Sequence, residues 1–544
     1  MRKPRFRTRL FLVAVVPLLW LCLPAPSEHL VILHVNDTHG QLLAGEHGGD
    51  SEGAVPGIAR LATVVRGIRA AHEGEVLLLH AGDELSRGDA VTVYYGGEAN
   101  VALMNRLGFD VMTPGNGDFY WGVENLLRLQ AQARFGLVHA NTRLKRHAVE
   151  LLPPYVVKDA NGIRVGILGV GTVHRDHPAA DDLLIADPVR VVRHYLPRIR
   201  AEADMVIVLS HLGYEADCKL AEEVSGIDLV VGGHSHTKLE APTRVPATAG
   251  GEVFVAQAGD EERYLGRIDL DVERTGQACR LTRVEGCLIP VNSETPEDPE
   301  IAALLKQFAS PLDETLCTAE VALQNPEKGP SPMGALVAEV MRAAAGADAA
   351  LLDRGGVCAG IEPGPVTRAT VCRIHPWRNE VFLVRMTGAQ LQKTVQLDDV
   401  LHAGCSPPDM AAGQRAFRVA GKPVAENGLY VVAVGSYLYG TTPALRKLPA
   451  ERTGLLIYNL LEDYLTSAGV LSSGSLAGVA PLQESRRWWA PVTRLPGTVG
   501  ACGKRAQGLE DGIEIFRGRR RKGHRFAGGG MFEAQPLGVE RLPL

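Results

Sequence analysis

Seven residues with metal-binding side chains stand at the ends of short apolar runs. The run 30–35 leads into Asn36-Asp37-Thr38-His39-Gly40, and the run 76–79 leads, past His80, into Ala81-Gly82-Asp83. A Gly115-Asn116 turn follows Val111-Met112, the run 205–209 ends in Ser210-His211, and 229–231 ends in Gly232-Gly233-His234-Ser235-His236. One histidine beside a strand end is commonly structural. Asp37, Asp83, Asn116, His39, His211, His234 and His236 together form a nitrogen-and-oxygen donor set with no thiolate. Such a set suits two hard-to-borderline divalent ions, with Mn²⁺ or Zn²⁺ expected.

The elements that carry these donors are legible from the pattern. Between about 28 and 290, continuous apolar runs alternate with helical stretches, and each run closes on a polar or Gly-rich turn. Strands buried on both faces, with polar residues at their carboxyl ends, indicate layered α/β architecture with sites beyond the strand ends. Composition shifts to Pro and acidic residues around 291–300, which predicts a linker and helix over 291–325 and a second α/β domain over 326–490. Residues 491–544 are rich in Gly and Arg and are expected to be a disordered tail.

A length of 544 residues exceeds one ordinary core. The net charge of −5 gives no general basic surface, so nucleic acid is not an expected partner. Arg2, Lys3, Arg5, Arg7 and Arg9 precede an apolar stretch at 10–23 and a small-residue exit, Pro24-Ala25-Pro26-Ser27. This predicts a signal peptide over 1–25 and export to the periplasm or beyond the cell. No later stretch is long enough to span a bilayer. In an oxidising compartment Cys279 and Cys287, on a predicted strand pair, are the best local candidates for a disulfide. A monomer is expected.

The string Leu33-His34-Val35-Asn36-Asp37-Thr38-His39-Gly40 resembles the opening motif of the bacterial 5′-nucleotidase/UDP-sugar hydrolase family. So do Ala81-Gly82-Asp83, Leu209-Ser210-His211, Gly232-Gly233-His234-Ser235-His236, and Gln257-Ala258-Gly259 with Leu265-Gly266-Arg267. The resemblance implies a four-layer α/β/β/α metallophosphoesterase domain followed by a 5′-nucleotidase C-terminal domain that selects the substrate. It also implies roles: Asp37, His39 and His236 on a first metal, Asp83 bridging, and Asn116, His211 and His234 on a second. The substrate would be a small phosphorylated molecule, with nucleotides the family default.

Two departures from the family pattern bear on chemistry. Its Gly-Asn-His-Glu-Phe-Asp motif reads Gly115-Asn116-Gly117-Asp118-Phe119-Tyr120, so the histidine that donates to the transition state and its Asp partner are both replaced. His139 is a candidate substitute donor. Restoring Gly117→His with Tyr120→Asp is then expected to raise kcat, unless Gly117 adopts a positive φ. The nucleotide-reading segment reads Asp353-Arg354-Gly355-Gly356-Val357-Cys358, where Arg354 could stand in for a missing Arg. Pro376-Trp377-Arg378-Asn379 keeps one aromatic platform, while the loop that usually supplies the second is altered near Tyr439 to Pro443. The chain therefore reads as a phosphoesterase with an altered catalytic pair and nucleotide pocket. A metal-binding pseudoenzyme and a thiosulfohydrolase-like hydrolase on the same scaffold are the alternatives.

Overall fold

The computed structural model describes residues 27–46, 54–174, 177–275, 278–397, 399–406 and 417–472. The expected signal peptide and the basic tail lie outside the described residues. No helix among those described is long and apolar enough to cross a membrane.

The amino-terminal half is built on two six-stranded sheets. The first runs, in spatial order, Ala278–Pro290, Tyr264–Thr275, Ser27–Val35, Val76–His80, Val111–Met112 and Gly136–Leu137. The second runs Thr243–Pro246, Glu252–Ala256, Leu229–Val231, Met205–His211, Ile163–Gly171 and Tyr155–Ala160. Residue alternation explains their stacking, because successive side chains in a strand point to opposite faces. Leu30 and Ile32 join Leu77, Leu79, Ile207, Leu209 and Val231 in a core between the sheets. Val31, Leu33 and Val35 point the other way, onto helices Ile58–Ala71, Glu98–Leu107 and Pro299–Ala309. Helices Pro188–Glu202 and Tyr214–Glu223 cover the far face of the second sheet. The result is a four-layer α/β/β/α sandwich.

The carboxyl-terminal half has a five-stranded sheet, ordered Val400–Ala403, Ala349–Asp353, Leu429–Gly435, Glu380–Thr387 and Ala450–Leu456. Ala350 and Leu352 pack on helices Pro332–Ala344 and Ile457–Ala468, while Ala349 and Leu351 face the other side. The segment expected to be a linker and helix carries a helix and a strand. Helix Pro299–Ala309 places Ile301, Leu305 and Phe308 in the core of the first half, and Thr315–Ala319 forms a strand with Gly364–Thr367. Val93 of the first half shares a core with the second. Arg378, at φ 54, donates to the carbonyls of Val93 (3.1 Å) and Tyr94 (3.3 Å) across the same boundary.

The disulfide expectation is corrected. Cys279 and Cys287 lie on one strand, Ala278–Pro290, and both are free thiols. At about 3.4 Å of rise per residue they stand roughly 27 Å apart, far beyond disulfide reach.

Candidate metal centre and substrate cleft

The parallel strands of the two sheets end side by side, and this gathers their turn residues. Main-chain bonds lace the turns together: Asp37 N–H donates to Gly82 O at 2.9 Å and His39 N–H to Asp83 O at 2.8 Å. Asp37, His39, Asp83, His234 and His236 all have positive φ, between 50° and 77°. Such angles in non-glycine residues cost energy and cluster at functional sites. Gly82, at φ 96, permits the closest approach: a Cβ there would lie 2.6 Å from His211 Nδ1 and 2.7 Å from Gly115 N.

Six of the seven expected ligands are linked by short contacts. His39 Nε2 is 3.1 Å from His236 Nε2, whose distance to Asp37 Oδ1 is 3.5 Å. His211 Nε2 lies 3.5 Å from Asp83 Oδ1 and 3.7 Å from Asp37 Oδ1. His234 joins through its main-chain N–H, which donates to Asp37 Oδ2 at 2.8 Å, and its ring centre is 5.2 Å from that of His211. Asn116, the seventh, is buried beside this group. Its amide donates to the Tyr120 hydroxyl at 3.1 Å and its Oδ1 faces Thr172 Oγ1 at 3.4 Å.

The donors fit divalent cations. His211 Nδ1–H donates to Ala81 O at 2.7 Å, which turns Nε2 toward the two carboxylates. His211 Nε2 and Asp37 Oδ1 are buried and make no hydrogen bond. Burial lowers the pKa of His211, but the carboxylates of Asp83 and Asp37 outweigh it and push the ring up to about 10. Burial alone would raise Asp83; His211, His39 and Arg87 hold it below the usual carboxylate range. The pocket demands positive charge, which two divalent ions would supply.

Several supporting residues escape a reading based on ligand types. Asp118 accepts main-chain N–H bonds from Asp83 (2.9 Å), Glu84 (2.9 Å), Leu85 (2.5 Å) and Gly115 (2.7 Å), fixing both turns at once. Asn36 donates to Asp37 Oδ2 (2.8 Å) and Gly259 O (2.6 Å) and accepts from Ala258 N (2.9 Å). Gln257 donates to Gly233 O at 2.9 Å and accepts from Ser235 Oγ at 2.9 Å, which braces the His234–His236 turn. Asn36 and Gln257 sit inside the sequence motifs named above, and that was the available signal.

From the metal centre a cavity of about 740 Å³ reaches the second half of the chain. Arg87, Tyr120, His174 and His234 line one end; Asp353, Trp377, Asn379 and Tyr437 line the other. Trp377 Nε1–H donates to Gly355 O at 2.8 Å, which anchors the ring at the wall. Burial pushes the Asp353 carboxyl up to about 6. Asn379 accepts from Ser436 Oγ at 3.5 Å. Tyr437 was not among the expected residues, because it precedes the altered loop rather than lying in it.

Two expectations fail on geometry. His139 is fully buried against the Phe119 ring, with Nδ1 3.4 Å from Thr113 Oγ1, and does not line the cavity. It is a core residue behind the centre, not a donor to substrate. Arg354 turns away: its guanidinium donates to Pro326 O (3.1 Å) and Gly329 O (2.8 Å), so it cannot replace the missing Arg. A further cluster, His29, His72 and Glu75, is already engaged, with Asp271 on His29 Nδ1 (2.9 Å) and Arg267 on His72 Nε2 (3.1 Å).

Comparison with known proteins agrees with this architecture. The calcineurin-like phosphoesterase family matches residues 30–238, and the 5′-nucleotidase C-terminal domain matches residues 309–443. The chain is 27% identical over 448 residues to the trifunctional nucleotide phosphoesterase of Bacillus subtilis (strain 168), covering 72% of this chain and 29% of that protein. It is 29% identical over 433 residues to 5′-nucleotidase of Bos taurus, covering 71% and 74%. The crystal structure of a 5′-nucleotidase precursor from Thermus thermophilus superposes with a TM-score of 0.55 at 26% identity, covering 82% of this chain and 97% of that one. The chain belongs to the family of metal-dependent phosphoesterases that joins a calcineurin-like phosphoesterase domain to a 5′-nucleotidase C-terminal domain.

Proposed function

We propose that this chain is an exported phosphoesterase that hydrolyses small phosphate esters or anhydrides, with Mn²⁺ or Zn²⁺ at a dinuclear centre and a flat ring of the substrate against Trp377. The observation that carries this reading is the pair of buried carboxylates, Asp37 and Asp83, facing His211 Nε2 at the end of a cavity that reaches an aromatic wall.

When bound, two divalent ions lower the pKa of a water and offset charge on phosphoryl oxygens. Asp37, His39 and His236 are proposed to hold one, Asn116, His211 and His234 the other, with Asp83 shared. The chain's own residues fix the geometry. Gly117 N–H holds Asp83 Oδ1 at 2.6 Å, and His234 N–H with Asn36 holds Asp37 Oδ2. In the reaction the water oxygen forms a new P–O bond as the ester P–O bond breaks. One water proton ends on the leaving oxygen by way of solvent, the other on the phosphate product. Trp377 and Tyr437 would seat the leaving group away from water, with Asp353 and Asn379 offering polar contacts.

Export rests on the basic, apolar and small-residue sequence of 1–27. The test of function is a screen of metal-reconstituted protein against nucleotides, sugar nucleotides, phosphomonoesters, phosphodiesters and thiosulfate, alongside elemental analysis. Turnover of a phosphate ester with close to two ions per chain supports the reading. A metal content well below one ion, or turnover of thiosulfate alone, overturns it.

A further inference from the structure

Gly117 and Tyr120 leave the centre without a histidine donor at the expected place, and the structure shows what surrounds that gap. Gly117 opens the short helical turn Gly117–Phe119 at negative φ. A Cβ there would lie 3.0 Å from Asp83 Oδ1, so a side chain grown from this position presses on the shared carboxylate. Tyr120, one turn on, lines the cavity, and its hydroxyl makes two hydrogen bonds. Its hydroxyl accepts from Asn116 Nδ2 at 3.1 Å and pairs with His174 Nδ1 at 3.0 Å. With the hydroxyl proton given to Nδ1, the neutral His174 ring carries its own proton on Nε2. The imidazolium carries one there as well. Either form presents an N–H donor at Nε2, and His174 lines the cavity beside His234.

The face of the Tyr120 ring supports a second group. Arg87 Cζ sits 5.3 Å from its centroid, within cation–π range. Arg87 is itself at φ 63, which turns its side chain back over the centre: Nη2 is 3.0 Å from His39 Nδ1 and 3.8 Å from Asp83 Oδ2. A guanidinium has five N–H donors and no acceptor, so the contact with His39 uses only part of its capacity. If His39 gives its Nε2 lone pair to a cation, Nδ1 carries the proton and stops accepting. The guanidinium would then have N–H groups to spare for an oxygen in the cavity that it lines.

Resting on the phosphoesterase reading above, we propose that Arg87 and His174, both set in place by Tyr120, are the donors that hold the phosphoryl oxygens as charge builds on them. They stand in, from two different loops, for the histidine donor and Asp partner that Gly117 and Tyr120 replace. Neither transfers a proton; both act through N–H bonds to oxygen. Tyr120 is a positioning residue, since it acts through the other two.

The experiment compares wild type with Arg87→Ala, Arg87→Lys, His174→Ala, His174→Gln, Tyr120→Phe and the double variant His174→Ala with Tyr120→Phe. Metal content, turnover of p-nitrophenyl phosphate and bis(p-nitrophenyl) phosphate, and calorimetric binding of orthovanadate and inorganic phosphate are measured on each. Loss of one such donor costs about 10²–10³ in rate. Arg87→Ala and His174→Ala should therefore lose about 10²-fold in kcat at unchanged metal content, and weaken vanadate more than phosphate. Arg87→Lys and His174→Gln should recover part of the loss. Tyr120→Phe should cost about tenfold in wild type and nothing further in His174→Ala, as expected when one residue acts only through the other. The proposal is overturned if both alanine variants stay within about threefold of wild type in turnover and vanadate binding, or if Tyr120→Phe costs the same with and without His174. Wild-type protein that turns over no ester, yet loses vanadate affinity at least tenfold in Arg87→Ala, keeps the donor assignment and sinks the hydrolytic reading. A variant that loses its metals is judged on its conservative partner.

Discussion

The two ends of the cleft are held in different ways. At the metal end, Asp37, Asp83, Asn116 and His211 are at most 5% exposed, and each is fixed by hydrogen bonds. Main-chain N–H and C=O groups supply most of these, and the strain of five positive-φ residues is borne by that network. At the far end, Trp377 and Tyr437 stand on loops and a short helix, and Tyr437 is 38% exposed. Trp377 is tied to the wall through its indole N–H, on Gly355. In the proposed reading, chemistry that needs atoms placed to a fraction of an ångström sits on the lattice of strand ends. Contacts that would only seat a leaving group sit on lightly tied side chains, where change costs less fold stability.

The comparison breaks most visibly at Asp83. Asp83→Ala should reduce metal content below one ion per chain by elemental analysis and lower turnover by more than about 10³-fold, since it removes the carboxylate proposed to be shared. His39→Ala should deplete one ion only. Equal loss from both variants would show that the two halves of the centre are not separately held.

The double graft Gly117→His with Tyr120→Asp tests whether the floor tolerates the family's own donor. Sequence reasoning alone predicts a gain in kcat. The structure reverses the sign: the new Cβ presses on Asp83, and the brace of Arg87 and His174 is lost. We expect a fall of about tenfold or more at retained fold, measured by steady-state kinetics and circular dichroism. A rise would show that the floor accepts the graft and that Tyr120 is dispensable.

At the wall the effects should be smaller and should appear in KM. Trp377→Ala should raise KM for an aromatic phosphate ester about tenfold, in the range of one stacked ring, and change kcat less than threefold. Trp377→Phe should restore most of it. Unchanged KM with lowered thermal stability would instead assign Trp377 to packing.

The effect at Asp353 falls on stability rather than on turnover. Its folded pKa is raised to about 6 by burial, above the ordinary carboxylate value, so the unfolded chain gives up this proton first. Stability from the neutral carboxyl is therefore full below about pH 4 and is lost as pH rises through about 6, by up to about 3 kcal/mol. Asp353→Asn should flatten that part of the stability–pH curve and be the more stable form at pH 7. Parallel curves for the two proteins would show that Asp353 ionises like an exposed carboxylate.

The sequence by itself determined the layered α/β fold and marked out the residues proposed as ligands. Both are written in local signals: apolar runs buried on two faces, and polar turns at their carboxyl ends. A strand end fixes where its next residues go, so Asp37, Asp83, His211 and His236 could be assigned together from the chain alone. Local signals do not report what two distant turns do to each other. Asp118 reads as an ordinary acidic residue, yet it accepts four main-chain N–H groups from two turns. His139 reads as a spare donor beside a strand end, yet it is sealed behind Phe119. Cys279 and Cys287 read as a pair across a hairpin, yet they share one long strand, Ala278–Pro290, whose partner Tyr264–Thr275 holds neither. Arg87 and His174 carry no motif, since what brings them together is contact with Tyr120 at one end of the cavity. Tertiary packing alone decided those placements, because side-chain reach and burial depend on neighbours that are distant in the chain.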